Sequence, residues 1–185
     1  MQDQSPSSIY ESVNQDWFSY LSANQQSLLR VSLALLEQQD KLTALEDYSF
    51  IVFPASKAYE GFLKKILLDH ALISYETYAG RRLRIGRALN PDVKITQRDK
   101  YWFYDDLIRI YGPELSKQIW QVWLECRNHI FHFFPGKEEI ISLEKARHCL
   151  EQLIDTMATI VENSQQLRRI QADYAKTNLV LGKEN

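Results

Sequence analysis

An arginine, an asparagine and a histidine lie close together at residues 125–132, whose sequence is ECRNHIFH. RNA can be cut without a metal ion when a base removes the 2′-hydroxyl proton and that oxygen attacks the adjacent phosphorus, while a cation stabilises the charge on the phosphate. His132 fits the role of the base, and Arg127 fits that of the cation. Asn128 can donate a hydrogen bond to a phosphate oxygen or hold His132 in one tautomer.

The spacing within this segment leaves two structural alternatives open. Arg127 and His132 are five positions apart, hence about 140° apart around an ideal α-helix, so they share a face only loosely. A helix that frays before Pro135, together with the length of the arginine side chain, would close that gap. Alternatively, Arg127 makes a surface ion pair with Glu125 or another carboxylate, and the histidines border an aromatic core.

Helices are the elements that must position this motif, because the pattern of the whole chain predicts an all-α fold. Only six glycines and five prolines interrupt the 185 residues, and alternating strand patterns are nearly absent. The apolar content of 45% is enough for one compact domain, which we place at 8–171 between tails at 1–7 and 172–185. Apolar spacing predicts helices at about 8–21, 24–39, 47–72, 101–111, 113–135 and 142–171, with a short helix within 74–100.

Prolines, glycines and caps give these predicted helices their boundaries. Pro54 lies inside the third helix and is expected to start or bend it. Gly112 closes the segment that begins at Tyr101, and Pro113 suits the first position of the next helix. Ser142 is a predicted N-cap of the last helix.

The overall charge gives no attraction to nucleic acid, so any phosphate contact must come from a local patch. The formal net charge is −2 and the sequence pI is about 6.1. The densest positive run is RRLRIGR at residues 81–87, which contains Arg81, Arg82, Arg84 and Arg87. This run either contacts RNA phosphates near the cleft or is simply solvated.

The cysteines and the amino terminus predict a cytoplasmic protein with no metal and no cofactor. Cys126 and Cys149 lack a CxxC spacing, which argues against a disulfide framework or a zinc site. The three-residue steps from Cys126 through His129 to His132 walk around a helix rather than along one face, so they do not predict metal ligands. Residues 1–8 do not resemble a signal peptide, and no apolar stretch is long enough for a membrane span.

The motif resembles the signature of the HEPN superfamily, which is an arginine, a polar residue, three variable positions and a histidine. Arg127, Asn128 and His132 fit it. A closer resemblance, over about residues 45–160, is to the carboxy-terminal toxin domain of RnlA/LsoA-type ribonucleases. The segments DYSF at 47–50 and KAYEGFLK at 57–64 are similar to the first conserved helix of that domain.

In that family an aspartate and a glutamate assist the arginine and the histidine, which would correspond to Asp47 and Glu60. Two simpler roles stay open: Asp47 caps a helix, and Glu60 pairs with Lys64 four positions later. The two acids are thirteen positions apart. They are therefore about 140° apart on a straight helix, and a bend at Pro54 must help if both line one site.

The resemblance implies a HEPN-like bundle of about five to six helices that forms a homodimer, with two copies of the motif facing each other across one cleft. It also implies a metal-independent endoribonuclease that is the toxin of a toxin–antitoxin or phage-defence system and is restrained by a protein antitoxin. The chain departs from related toxins in carrying Phe134 where one branch has a tyrosine, and in lacking recognisable amino-terminal domains. The alternative function is a non-catalytic HEPN-like dimer that binds RNA or a protein partner.

Overall fold

The computed structural model describes residue 13 and residues 15–39, 45–133, 135–136 and 139–181, with only the backbone described from residue 167 onward. In this part of the chain the fold is all α, with no strand, which confirms the predicted bundle of five to six helices. The helices are α1 (Ala23–Glu37), α2 (Ser49–Asp69), α3 (Tyr75–Ala79), α4 (Ile85–Ala88), α5 (Tyr104–Trp123) and α6 (Leu143–Leu181). A π-helical turn, Leu124–Asn128, continues α5 and leads into a last helical turn at His129–Phe131. Short 3-10 helices lie at Asp16–Tyr20 and Ile95–Gln97.

Helix α2 contains Pro54 as predicted, and α1 compensates for it. Proline has no N–H and crowds the preceding turn, so the backbone bonds around it are disturbed. The N–H of Ala55 donates instead to Ser32 Oγ of α1 at 2.9 Å. Ser32 is fully buried, so this bond satisfies an amide that has no access to water.

Helix α5 is two helices joined at Gly112, as the sequence predicts. Gly112 has φ 80° and ψ 166°, a left-handed conformation that glycine adopts without a Cβ clash. Pro113 then begins the second part, and Ser116 Oγ donates to the Gly112 carbonyl at 2.8 Å. The kink allows the second part of α5 to run through the core toward the motif.

The two ends of the bundle differ from the prediction. Ser142 caps α6, with its Oγ accepting from the Lys145 N–H at 3.1 Å, but this helix continues to Leu181 instead of ending near residue 171. The predicted first helix at 8–21 is wrong where it is described, because residue 15 is extended and 16–20 form a 3-10 helix. Residues 8–12 and 14 lie outside the described residues. The segment 74–100 contains two short α-helices and a 3-10 turn instead of one helix.

The core lies where α2 packs against α1, α5 and α6. Its largest fully buried side chains include Tyr59 and Phe62 of α2, Ile119 of α5 and Leu150 of α6. Helix α2 is central, and side chains of its buried face bond to backbone carbonyls of α5 and of the π turn. None of the helices in the described part of the chain has the length and apolar character that crossing a bilayer requires.

Candidate functional site

One face of α2 holds the motif in place. Three of its residues recur at steps of three and four positions, and the fourth adjoins the last of them, so all four lie within about a third of the helix circumference. Each of them contacts the end of α5, the π turn or the turn that follows it. The residues of this face are Phe53, Ser56, Tyr59 and Glu60.

The motif begins in the π turn and not in a regular α-helix. The N–H of His129 donates to the carbonyl of Leu124, which is five residues earlier. This bond pattern is that of a π helix, in which each N–H bonds the carbonyl five residues earlier. Arg127 and Asn128 are the last two residues of the turn, and His132 follows the regular helical turn His129–Phe131. Wide turns of this kind occur often at functional sites.

Ser56 ties the π turn to α2. Its Oγ lies 3.0 Å from the carbonyl of Cys126 and 2.9 Å from that of Val52, so its one proton is donated to either carbonyl or shared. Ser56 is only 2% exposed, and a carbonyl at this depth requires a donor. The hydroxyl therefore stabilises the backbone directly before Arg127.

Arg127 lies between a carboxylate and an indole. Its Nη2 is 3.4 Å from Glu60 Oε2, and its Cζ is 5.1 Å from the centre of the Trp123 ring. Both contacts restrict the guanidinium, which stays about 29% exposed and so can still be reached from solvent. Glu125, the alternative partner named from sequence, makes no ion pair among the described residues.

The two acids predicted from the resemblance are placed differently. Glu60 is beside Arg127 as that resemblance implies, and it also pairs with Lys64 at 3.3 Å, so both of its predicted contacts exist. Asp47 is exposed, and its Oδ1 accepts from the Ser49 N–H at 2.6 Å at the start of α2. Asp47 thus acts as a helix cap, and within the described residues no contact joins it to Glu60 or Arg127.

His132 follows the last helical turn, where the chain becomes extended (φ −114°, ψ 132°). Its Nδ1 is 3.1 Å from the carbonyl of Asn128, a carbonyl at the helix end. In the neutral ring Nδ1 must then carry the proton, and Nε2 becomes the nitrogen with the lone pair. The tautomer is set by the backbone of Asn128 and not by its side-chain amide.

The two cysteines are buried next to each other, and their hydrogen bond lowers the pKa of the Cys149 thiol below its ordinary value. Cys126 and Cys149 are buried at 2% and 0% exposure. The hydrogen bond with Cys149 and then burial raise the pKa of the Cys126 thiol above its ordinary value, so the thiol stays protonated. Within the described part of the chain, no three His, Cys, Asp or Glu side chains gather as metal ligands would.

The basic run at 81–87 divides into paired and unpaired arginines. Arg87 Nη2 contacts Asp99 Oδ2 at 3.1 Å and the carbonyl of Gln97 at 2.9 Å. The guanidinium groups of Arg81, Arg82 and Arg84 are exposed and make no hydrogen bond or ion pair with any described residue. Exposed arginines without ion pairs fit both alternatives for this run, contact with phosphate and plain solvation.

Two contacts at the site were missed from sequence. The contact of Trp123 with Arg127 could have been expected, because four residues is the helical spacing at which side chains meet. The indole of Trp123 also meets Gly86 of α4: a Cβ at Gly86 would lie 2.9 Å from Trp123 Nε1. No local signal in the sequence indicates this second contact. Trp123 therefore contacts both Arg127 and the glycine of the basic run.

Comparison of the chain with protein-family models, with curated proteins and with solved structures found no match. The relation to HEPN proteins therefore stays a prediction that rests on the motif.

Proposed function

We propose that this chain is a metal-independent endoribonuclease whose site consists of Arg127, Asn128, His132 and Glu60. The observation that carries the proposal is the hydrogen bond from His132 Nδ1 to the Asn128 carbonyl. It gives the neutral ring a basic Nε2 in the same short segment as a partly exposed guanidinium. A base and a cation are the two groups that cleavage by the 2′-hydroxyl requires.

In the proposed reaction, His132 Nε2 removes the proton from the 2′-hydroxyl of RNA. The 2′-oxygen forms a bond to the adjacent phosphorus, and the bond from phosphorus to the 5′-oxygen of the next nucleotide breaks. The departing oxygen takes a proton from solvent, which leaves a 2′,3′-cyclic phosphate and a 5′-hydroxyl. DNA lacks the attacking oxygen and is not cut.

Arg127 stabilises the extra negative charge on the phosphate in the transition state. Glu60 and Trp123 orient its guanidinium before the substrate arrives, which lowers the entropy that positioning costs. The side-chain amide of Asn128 makes no hydrogen bond among the described residues, so we assign it to a phosphate oxygen.

We infer that the active form is a homodimer. Phe53 packs edge to face on Phe131 at 5.4 Å and is still 54% exposed, and Phe133 beside His132 is 78% exposed. Exposed aromatic side chains next to a polar site are typical of an isologous contact. Sedimentation of the purified protein tests this, with Phe133→Asp expected to shift it to monomer.

A second candidate function is a non-catalytic helical dimer that binds RNA or a protein partner through this face. The ion pair of Arg127 with Glu60 favours it, because a structural arginine would make the same contact. In the first function a phosphodiester bond of RNA is broken, whereas in the second the RNA stays intact.

The discriminating experiment incubates purified protein with single-stranded RNA in EDTA and identifies the product ends by mass spectrometry. Wild type is expected to give cyclic phosphate ends, and Arg127→Ala and His132→Ala are expected to lower the rate by at least about a hundredfold. Matched controls are Arg109→Ala, which removes an arginine outside the motif, and His129→Ala, which removes the other histidine of the motif; both should keep the rate. Intact RNA with wild type, or equal cleavage by the two site variants, would refute the ribonuclease proposal.

The biological role that we propose is that of a toxin or phage-defence effector held inactive by a protein antitoxin. It follows from the motif's resemblance and from the expectation that an unregulated ribonuclease harms its host. Induced expression of wild type in a bacterial host should stop growth, and His132→Ala should not. Equal growth with both proteins would argue against a toxin.

A further inference from the structure

A cavity of about 820 Å³ is formed by α3, α4 and the loop that precedes α5. Sites for small ligands occupy about 300–1,000 Å³, so a cavity of this volume can hold one small molecule. The side chains that matter for binding are cationic or aromatic: Arg81, Arg82, Arg84, Arg87, Lys100 and Tyr101.

The positive charge of this cavity is mostly uncompensated. Asp99 is paired with Arg87 at 3.1 Å, and this pair holds the loop against α4. The lining contains one other carboxylate, Glu76, against four remaining cations. Three of these four, the arginines, have no ion pair within the described residues. Since the whole chain carries a net charge of −2, this concentration of positive charge indicates an anionic ligand.

Tyr101 adds an aromatic surface to the positive charge. Its ring is 41% exposed, and Lys100 Nζ lies 5.1 Å from the ring centre. Its backbone N–H donates to Asp99 Oδ1 at 2.9 Å, which fixes the position of the residue. A positive groove with an exposed aromatic ring binds single-stranded nucleic acid, because the cations contact phosphate and the ring stacks on a base.

We propose that this cavity binds one nucleotide of single-stranded RNA, with phosphate on Arg81, Arg82 and Arg84 and the base stacked on Tyr101. This inference rests on the proposed ribonuclease function, because it assigns the cavity to the substrate strand. The bases of a duplex are already stacked, so duplex RNA cannot use the ring.

The position of α4 connects the cavity with the cleavage site. Arg84 and Arg87 lie on either side of Gly86, and Gly86 contacts the Trp123 ring on which Arg127 lies. Helix α4, which carries Arg87, therefore packs directly against the helix that leads into the proposed catalytic motif. The cavity sets which strand is cut, whereas the motif performs the cut.

The test measures binding of a short fluorescein-labelled single-stranded RNA by fluorescence anisotropy over a range of salt concentrations. His132→Ala is used as the background so that the RNA stays intact. Arg82→Gln and Tyr101→Ala should each weaken binding about tenfold, and Arg82→Gln should lower the slope of log Kd against log salt by about 0.7. Tyr101→Phe keeps the ring and should stay within about twofold. Arg109→Gln is the matched control, because Arg109 is exposed and pairs with Asp106 on α5 outside this cavity.

Unchanged affinity and salt slope in Arg82→Gln and Tyr101→Ala would overturn the inference. Equal binding of duplex and single strand would overturn it too. Adenosine monophosphate is the competitor: if Arg82→Gln loses this nucleotide but binds RNA like wild type, the cavity serves a free nucleotide and the assignment to the strand is wrong. Cleavage is measured separately, so a protein that binds as expected but cuts no RNA refutes the proposed function alone.

Discussion

Replacing Gly86 by alanine tests the contact between α4 and the motif helix. The added Cβ would lie 2.9 Å from Trp123 Nε1 and 3.5 Å from Cε2. Ordinary contacts of this kind begin at 3.4 Å, so the ring or α4 must move by about 0.5 Å. Trp123 is only 3% exposed and is held by the core, so the ring cannot swing away.

The expected cost follows from two opposing effects. Overpacking of a well-packed site costs about 1–3 kcal/mol. Alanine in a helix is favoured over glycine by up to about 1 kcal/mol, which offsets part of this cost. We expect a net loss of about 1–2 kcal/mol in the free energy of unfolding, which lowers Tm by about 2–8 °C for a chain of this size. Movement of the indole also displaces Arg127, so the cleavage rate should fall with it.

The assay is denaturant unfolding followed by circular dichroism, with Gly61→Ala as the matched control. Gly61 also lies in a helix, and its added Cβ would meet Gln25 Nε2 at 3.0 Å, which is the end of a long side chain. The amide end of Gln25 must shift by a few tenths of an ångström while its Oε1 keeps the bond from the Ser22 N–H, so Gly61→Ala should cost less than Gly86→Ala, where an indole ring is struck.

A double-mutant cycle separates the clash from other effects of the new methyl group. In a Trp123→Phe background the atom that the methyl would strike is absent, so Gly86→Ala should cost less than half as much as in wild type. An equal cost in both backgrounds, or equal effects of the two glycine substitutions, would refute the argument from the indole.

Three further predictions concern single polar groups. Ser32→Ala leaves the Ala55 N–H without its buried partner and should lower the free energy of unfolding by about 1–3 kcal/mol; an unchanged denaturation midpoint would contradict this. Glu60→Gln removes the charge that orients Arg127. We expect the free energy of unfolding to fall by about 0.5–1 kcal/mol and the cleavage rate to fall by about fivefold. Full activity of the variant in steady-state cleavage would exclude an orienting role of Glu60. His132→Gln keeps a polar side chain but has no basic nitrogen, so cleavage should fall by at least about a hundredfold; a wild-type rate in this variant would oppose the assignment of His132 as the base.

Local signals in the sequence were sufficient for most of the bundle. Gly112 and Pro113 predicted the break inside α5, and Ser142 predicted the start of α6, because each acts through residues within one helical turn. The amino-terminal helix and the end of α6 were predicted less well. Apolar spacing reports which face is buried, but it does not distinguish a 3-10 turn from an α-helix or show where a helix stops.

The sequence by itself determined the chemistry available to this protein: an arginine, an asparagine and a histidine at one helix end, and a run of arginines elsewhere. Only the tertiary structure decided that the arginine meets Glu60 and that the run of arginines borders a cavity beside Tyr101. The π turn also depends on packing, since Ser56 of α2 binds its backbone from another helix. Such contacts join residues far apart in the chain, and they form because buried faces must pack together, which no local pattern specifies.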